Sequence, residues 1–172
     1  HSHACAIGPS YDLLVTGFFQ SATMSWGTTT LNNPNTNDES FVARLATATG
    51  AEVWAVDQAD DTSFNRGEAI AYGGGDVIVG GYFSVGLDFG RAVSPSGTGD
   101  DSYVLALDAA DGSHVWTNTG GSGSSDSEAF GAAATASSVF AGGFFNGGTQ
   151  TWNFGFDQVG SGIDAYLTRF EP

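Results

Sequence analysis

The chain has 172 residues, 41% of them apolar, and a formal charge of −15 from 19 acidic and 4 basic side chains, every one of the latter an arginine. That apolar content supports one domain with a real core rather than a disordered chain. So few cations leave almost nothing to neutralise phosphate, which argues against nucleic acid as a partner and sets the surface against anionic membranes. No apolar run approaches the roughly 20 residues of a bilayer-spanning helix, and no basic start leads into an apolar stretch as in a signal peptide. Asp exceeds Glu, and Ser, Thr, Asn and Gly are abundant; this is an extracellular or cell-surface profile. Cys5 is the sole cysteine, so no internal disulfide forms and a buried free thiol is expected.

Residues 1–64 open with Ala4-Cys5-Ala6-Ile7 and pass through Gly8-Pro9-Ser10 into the apolar segment 12–19. Trp26-Gly27 and a polar loop at 28–38 lead to residues 41–45, a turn at Thr49-Gly50 and Glu52-Val53-Trp54. Residues 65–126 copy that order: segment 69–72, a Gly73-Gly74-Gly75 turn, segment 76–83, Leu87-Asp88-Phe89-Gly90, a Ser/Gly loop and a hairpin over 100–116. In that hairpin the spacing predicts a strand at 103–107, a turn at Asp111-Gly112 and a returning strand ending at Val115-Trp116. Residues 127–172 follow with segments 129–134 and 138–145, then Trp152-Asn153-Phe154-Gly155 and 166–170. Gly17-Phe18-Phe19, Gly81-Tyr82-Phe83 and Gly143-Phe144-Phe145 lie 64 and 62 residues apart, and Trp54 and Trp116 lie 62 apart.

Fixed-period self-similarity with four short strands per unit predicts an all-β, propeller-like array in one domain, residues 1–172. A three-fold β-trefoil-like barrel is the alternative arrangement. Runs 13–15, 77–79 and 139–141 lack clean alternation, as expected of strands covered on both faces. The glycines before each aromatic pair predict a close backbone approach or a bulge, the aromatic pairs fill space between sheets, and Trp54 and Trp116 are placed to wedge between adjacent units.

The unit Gly81-Tyr82-Phe83, Asp88-Phe89-Gly90 and Gly99-Asp100-Asp101-Ser102-Tyr103-Val104-Leu105-Ala106-Leu107-Asp108 through Gly112 to Trp116 resembles the SBBP-type β-propeller repeats of bacterial and other secreted surface proteins. Ala106, Asp108, Gly112 and Trp116 are also similar to the tryptophan-docking repeat of quinoprotein (PQQ-type) propellers, whose second half alone is matched by Thr49, Gly50 and Trp54. The resemblance implies a propeller-like sheet arrangement in an extracytoplasmic protein. It does not imply a quinoprotein enzyme, which needs several hundred residues and dedicated cofactor and calcium ligands.

The count of strands does not close. Two repeats of four strands and a third that stops before a Val-Trp strand make 11, with an open sheet edge at Tyr166, Leu167, Thr168, Arg169 and Phe170; open edges recruit strands from other chains. Three resolutions stand: the chain is a segment of a longer repeat protein, copies of it assemble into an oligomer or filament, or the repeats form the three-fold barrel.

Candidate chemistry is sparse. His1 and His3, with a terminal amine and two amides, match a square-planar Cu(II) or Ni(II) site to which Cys5 could add, set against a merely flexible end. Asp100 and Asp101, and the acidic loops at 35–39, 57–61 and 122–128, offer the oxygens that calcium takes; none follows a calcium-loop pattern, and Asp and Asn are ordinary turn residues. Trp26, Trp152 and Phe154 beside Asp and Asn could stack on a sugar, or fill space between sheets. With no nucleophile elbow, zinc helix, CxxC pair or phosphate loop, the chain does not read as an enzyme, and the only cofactor considered is calcium. The sequence thus predicts an extracellular structural protein, a subunit or segment of a surface fibre, layer or adhesin, with a lectin-like carbohydrate-binding module as the alternative.

Overall fold

A computed structural model describes residues 1–57, 64–93, 98–121, 124–152 and 157–171. The chain is all-β, relieved among the described residues by one single-turn 3₁₀ segment at Pro9–Tyr11. β1 (Ser2–Ile7), β2 (Leu13–Phe19), β5 (Glu39–Leu45) and β6 (Glu52–Asp57) pair in that order as antiparallel sheet one, beside a separate hairpin of β3 (Thr23–Trp26) and β4 (Thr29–Asn32). β7 (Asn65–Gly73), β8 (Asp76–Phe83), β11 (Asp101–Asp108) and β12 (His114–Gly121) repeat the order as sheet two, with β9 (Leu87–Asp88) and β10 (Ala92–Val93) as its small hairpin. β13 (Ser127–Ala134), β14 (Val139–Trp152) and β15 (Asp157–Phe170) make sheet three. The end of β12 pairs with the far end of β14, Gly120 opposite Trp152, which joins sheets two and three into one seven-stranded layer. That layer curls until β13 lies against β7 and β8, nearly closed and barrel-like.

Two apolar cores hold the sheets in sequence order. Between sheets one and two, Leu14, Val42 and Trp54 meet Ile70, Val77, Val79, Phe83, Tyr103 and Leu105. Between sheets two and three, Ala71, Ile78, Val104 and Ala106 meet Val139, Ala141, Phe145, Trp152, Tyr166 and Phe170. A third, smaller cluster lies on the other side of sheet one, where Leu31 of β4 covers Phe19, Phe41 and Ala43.

Trp54 is the wedge that the spacing predicts. Its indole lies over Gly112 of sheet two and donates Nε1–H to the Ala109 carbonyl at 3.0 Å. Arg44 reaches the same carbonyl with Nη1 at 2.7 Å while its Nε and Nη2 hold Asp12 Oδ2 at 3.0 and 2.8 Å. Trp116, the repeat partner of Trp54, packs on Phe170 of sheet three with ring centroids 5.9 Å apart.

The glycine ahead of each aromatic pair has a steric cause. The first strand of every sheet shifts register opposite it: between Ser2 and Ala4, Gly67 and Ala69, and Ala129 and Gly131. This bulge pushes the carbonyls of His1, Arg66 and Glu128 towards Gly17, Gly81 and Gly143, into the space a Cβ would occupy.

Four details differ from the sequence-based expectation. Burial is nearly continuous along β2 and β8 but alternates along the start of β14, where Val139 and Ala141 are buried and Phe140 and Gly142 only half-buried. Sheet two has a neighbouring sheet on each face and the β3–β4 hairpin covers part of the outer face of sheet one, whereas sheet three is covered on one face among the described residues. The hairpin closing β11 and β12 has a four-residue turn at 109–112, since Asp108 N–H bonds Ser113 O at 2.8 Å, with Gly112 at φ +78°; β12 then continues past Trp116 to Gly121. β14 and β15 absorb the hairpin that stands apart in the other repeats, because Gly147 and Gly148, both at positive φ, let the paired strands bend without breaking. Cys5 is exposed, not buried: its side of β1 has no sheet against it.

Candidate functional site

The residues singled out from the sequence are scattered. Trp152 is 3% exposed and sits inside the second core, 5.3 Å from the Tyr166 ring and 5.5 Å from Phe170. Trp26 is half-buried against Phe41 at 5.5 Å. Phe154 lies outside the described residues, as do residues 58–61 and 122–123 of the acidic loops. The terminal amine of His1 donates to the Phe18 carbonyl at 2.8 Å and its ring stacks on Phe18, while His3 Nδ1 is 2.6 Å from Glu68 Oε2. The extended strand β1 therefore spreads these donors over two neighbours instead of converging them. Asp100 is half-buried and Asp101 buried. Among the described residues no group of three or more His, Cys, Asp or Glu side chains is arranged to hold a metal ion.

What the fold does bring together is a ladder along the bulged ends of the first strands, where equivalent positions carry His1, Arg66 and Glu128. Arg66 lies over the Phe18 ring at 4.3 Å, near Tyr82 at 5.8 Å, and donates Nε–H to Asp38 Oδ2 at 2.6 Å. At the next step the equivalent pair is Asp100 and Glu128, two acids. Burial, then the charges of Asp100, Glu68 and Asp126, push the Glu128 carboxyl up to about 7; burial and Asp126 also raise Asp100. Sheets one and two are thus joined by an ion pair where sheets two and three have a repulsion.

The larger feature is a pair of terminal faces. The trailing face of sheet three, turned away from sheet two, carries Phe130 and Leu167, which are 52% and 70% exposed, and the half-buried Phe140 and Phe144. Phe130 and Phe144 form a tilted aromatic pair at 5.7 Å. The positions equivalent to Phe140 and Leu167 are buried elsewhere: Leu14 and Val42 lie under sheet two, and Ile78 and Val104 under sheet three. The leading face of sheet one, turned away from sheet two, shows the converse. Cys5 and Leu13 there match Ile70 and Val77, which pack on sheet one, and Ile7, 59% exposed, matches Tyr72. A shallow depression of about 290 Å³ on this face is lined by Ser2, His3, Ala4, Cys5, Leu13 and Val15.

Of the proposed assembly edge, Tyr166, Thr168 and Phe170 are buried while Leu167 and Arg169 point outward. Among the described residues β15 is paired on one side only, by β14. The trailing face is not among the candidates read from the sequence, although its signal is there: Leu167 and Phe140 occupy the columns of residues expected to be covered. No family model matches the chain, and no match to a curated protein was found.

Proposed function

We propose that this protein is an extracellular structural protein, a subunit or segment of a surface fibre, layer or adhesin, built from propeller-like repeats and working by self-association. The observation that carries the reading is the free outer edge of the third sheet. Sheets one and two close with β6 and β12, whereas β15 offers an unpaired edge at residues 166–170 among the described residues. An unpaired edge of this length is an invitation to pairing, and no charged side chain except Arg169 guards it.

The radial, propeller-like arrangement rests on the order of the layers. The first strands β1, β7 and β13 lie beside one another, and each sheet buries one face on its neighbour in the sequence. Propellers repeat this step around an axis. A role without catalysis fits a surface whose histidines and buried phenols are all occupied structurally: Tyr103 donates to the Arg66 carbonyl and Tyr166 to that of Glu128, each at 3.2 Å.

Light scattering tests the reading. The chain should exceed its 17.6 kDa monomer mass as concentration rises; a constant monomer mass would count decisively against a self-associating structural role.

A further inference from the structure

The repeat supplies a template for what covers the trailing face. Twice within the chain, a leading face docks on the trailing face before it: sheet two on sheet one, and sheet three on sheet two. Among the described residues the chain then presents one open trailing face, with Phe130, Phe144 and Leu167, and one leading face that the β3–β4 hairpin covers only in part, with Cys5 and Ile7 exposed and Leu13 half-buried. We propose that a second copy of this chain docks its leading face on the trailing face of the first, reproducing the contact between sheets one and two. The inference rests on the self-associating role proposed above and specifies its surface: faces, not strand edges.

Arg169 supports the same pairing independently. It stands where Arg44 stands in sheet one, opposite Phe140 as Arg44 is opposite Leu14. Asp12 holds Arg44 within its own sheet, and Ser138, the residue equivalent to Asp12, holds Arg169 through Nε at 3.1 Å and Nη2 at 2.9 Å. Arg44 uses its remaining nitrogen to grip the Ala109 carbonyl of the following sheet. The residue equivalent to Ala109 in sheet one is Thr47, so Arg169 is positioned to take the Thr47 carbonyl of the second copy.

Contacts of this kind join two different surfaces, and such heterologous contacts close into a ring when the rotation permits. Two copies supply six sheets, within the usual range of roughly four to eight for a propeller, and the pair satisfies both faces of both chains. Three copies would exceed that range.

Sedimentation and light scattering of the full chain, with one variant on each face, decide the matter. Leu167→Asp and Ile7→Asp change exposed side chains, so each should melt with the wild type at a concentration where all are monomeric. The wild type should reach twice the 17.6 kDa chain mass and stop. Each variant alone should weaken pairing by roughly a hundredfold or more, because a charge is left buried and unpaired. An equimolar mixture should pair more tightly than either variant alone, since one of the two contacts in the mixed pair joins the sound leading face of Leu167→Asp to the sound trailing face of Ile7→Asp while the other holds both aspartates. A wild-type mass that stays monomeric overturns both this inference and the function it rests on. Association that ignores both charges, that grows without limit, or that is no tighter in the mixture than in either variant alone overturns the face-to-face pair alone and leaves edge pairing standing.

Discussion

Replacing Glu128 with Gln tests the electrostatics between sheets two and three. The Glu128 carboxyl is half-buried against Asp100, Asp126 and Glu68, with Arg66 the sole nearby cation affecting it, and titrates at about 7 instead of 4.5. The folded chain therefore keeps a proton between those values that the unfolded chain has released. By linkage, stability from this group is full below about pH 4.5 and declines as pH rises towards 7. An unscreened shift of that size corresponds to roughly 3 kcal/mol; a half-exposed carboxyl is screened by solvent, which reduces the effect to about 1 kcal/mol. Glutamine resembles the protonated acid and does not titrate. Glu128→Gln should thus raise Tm by roughly 2–4 °C near pH 8 and leave it unchanged near pH 4. Glu128→Arg, which copies the Arg66–Asp38 pair onto Asp100, should raise it further at the higher pH. Thermal melts followed by tryptophan fluorescence at both pH values measure this. A Tm difference independent of pH, or a Gln variant less stable near pH 8, would refute the assigned repulsion.

Five further substitutions probe packing. Trp54→Ala removes the wedge between sheets one and two and should cost roughly 3–5 kcal/mol in urea unfolding; Trp54→Phe should cost only about 1–2 kcal/mol, because Arg44 still satisfies the Ala109 carbonyl. Gly81→Ala drives a Cβ into the Arg66 carbonyl and the Tyr103 ring and should destabilise by about 1–3 kcal/mol. Gly50→Ala, at φ +69° with open space around it, should cost about 1 kcal/mol, and the reverse ranking would show that the bulge is soft. Gln150 is fully buried with neither side-chain atom hydrogen-bonded among the described residues, so Gln150→Met should stabilise by about 1 kcal/mol; a loss of that size would reveal a partner for the amide.

Most of the architecture was legible because the repeat is long and its punctuation is chemical. Gly17, Gly81 and Gly143 mark a bulge that no side chain can share, and Trp54 marks the outer end of a closing strand. Periodicity alone does not separate a covered face from an open one, and this limited the reading of sheet three. Val139, Phe140 and Ala141 are all apolar, as are Val77, Ile78 and Val79, yet only the latter are covered on both sides. The misplaced burial of Cys5 has the same origin. Its neighbours in the column, Ile70 and Ala132, face a preceding sheet, and nothing in a local segment reports whether such a sheet exists. The Asp100–Glu128 repulsion was hidden for a related reason: 28 residues separate two acids that only the curled layer brings together.

The open face and the like-charge contact belong to the same part of the molecule. Arg44, Arg66 and Trp54 bind sheet one to sheet two with charge, a shared carbonyl and a wedge. Sheet three packs on sheet two through an apolar core and the pairing of β12 with β14, but it brings Glu128 against Asp100, carries a Gln150 amide without a hydrogen bond among the described residues and buries only one side of β14. In a stack whose stability is a sum over neighbouring contacts, an end unit whose one contact includes a like-charge pair opens early. A second copy seated on Phe144 and Leu167 would give sheet three the neighbour it lacks, and ligation of the folded form alone raises stability by mass action. Association and folding of sheet three are then one equilibrium. The chain carries −15, so like-charge repulsion opposes that step at low ionic strength, and added salt should favour it through screening. An interface held mainly by ion pairs would respond in the opposite sense, which makes the direction of the salt effect a direct measure of whether apolar faces or charges join the copies.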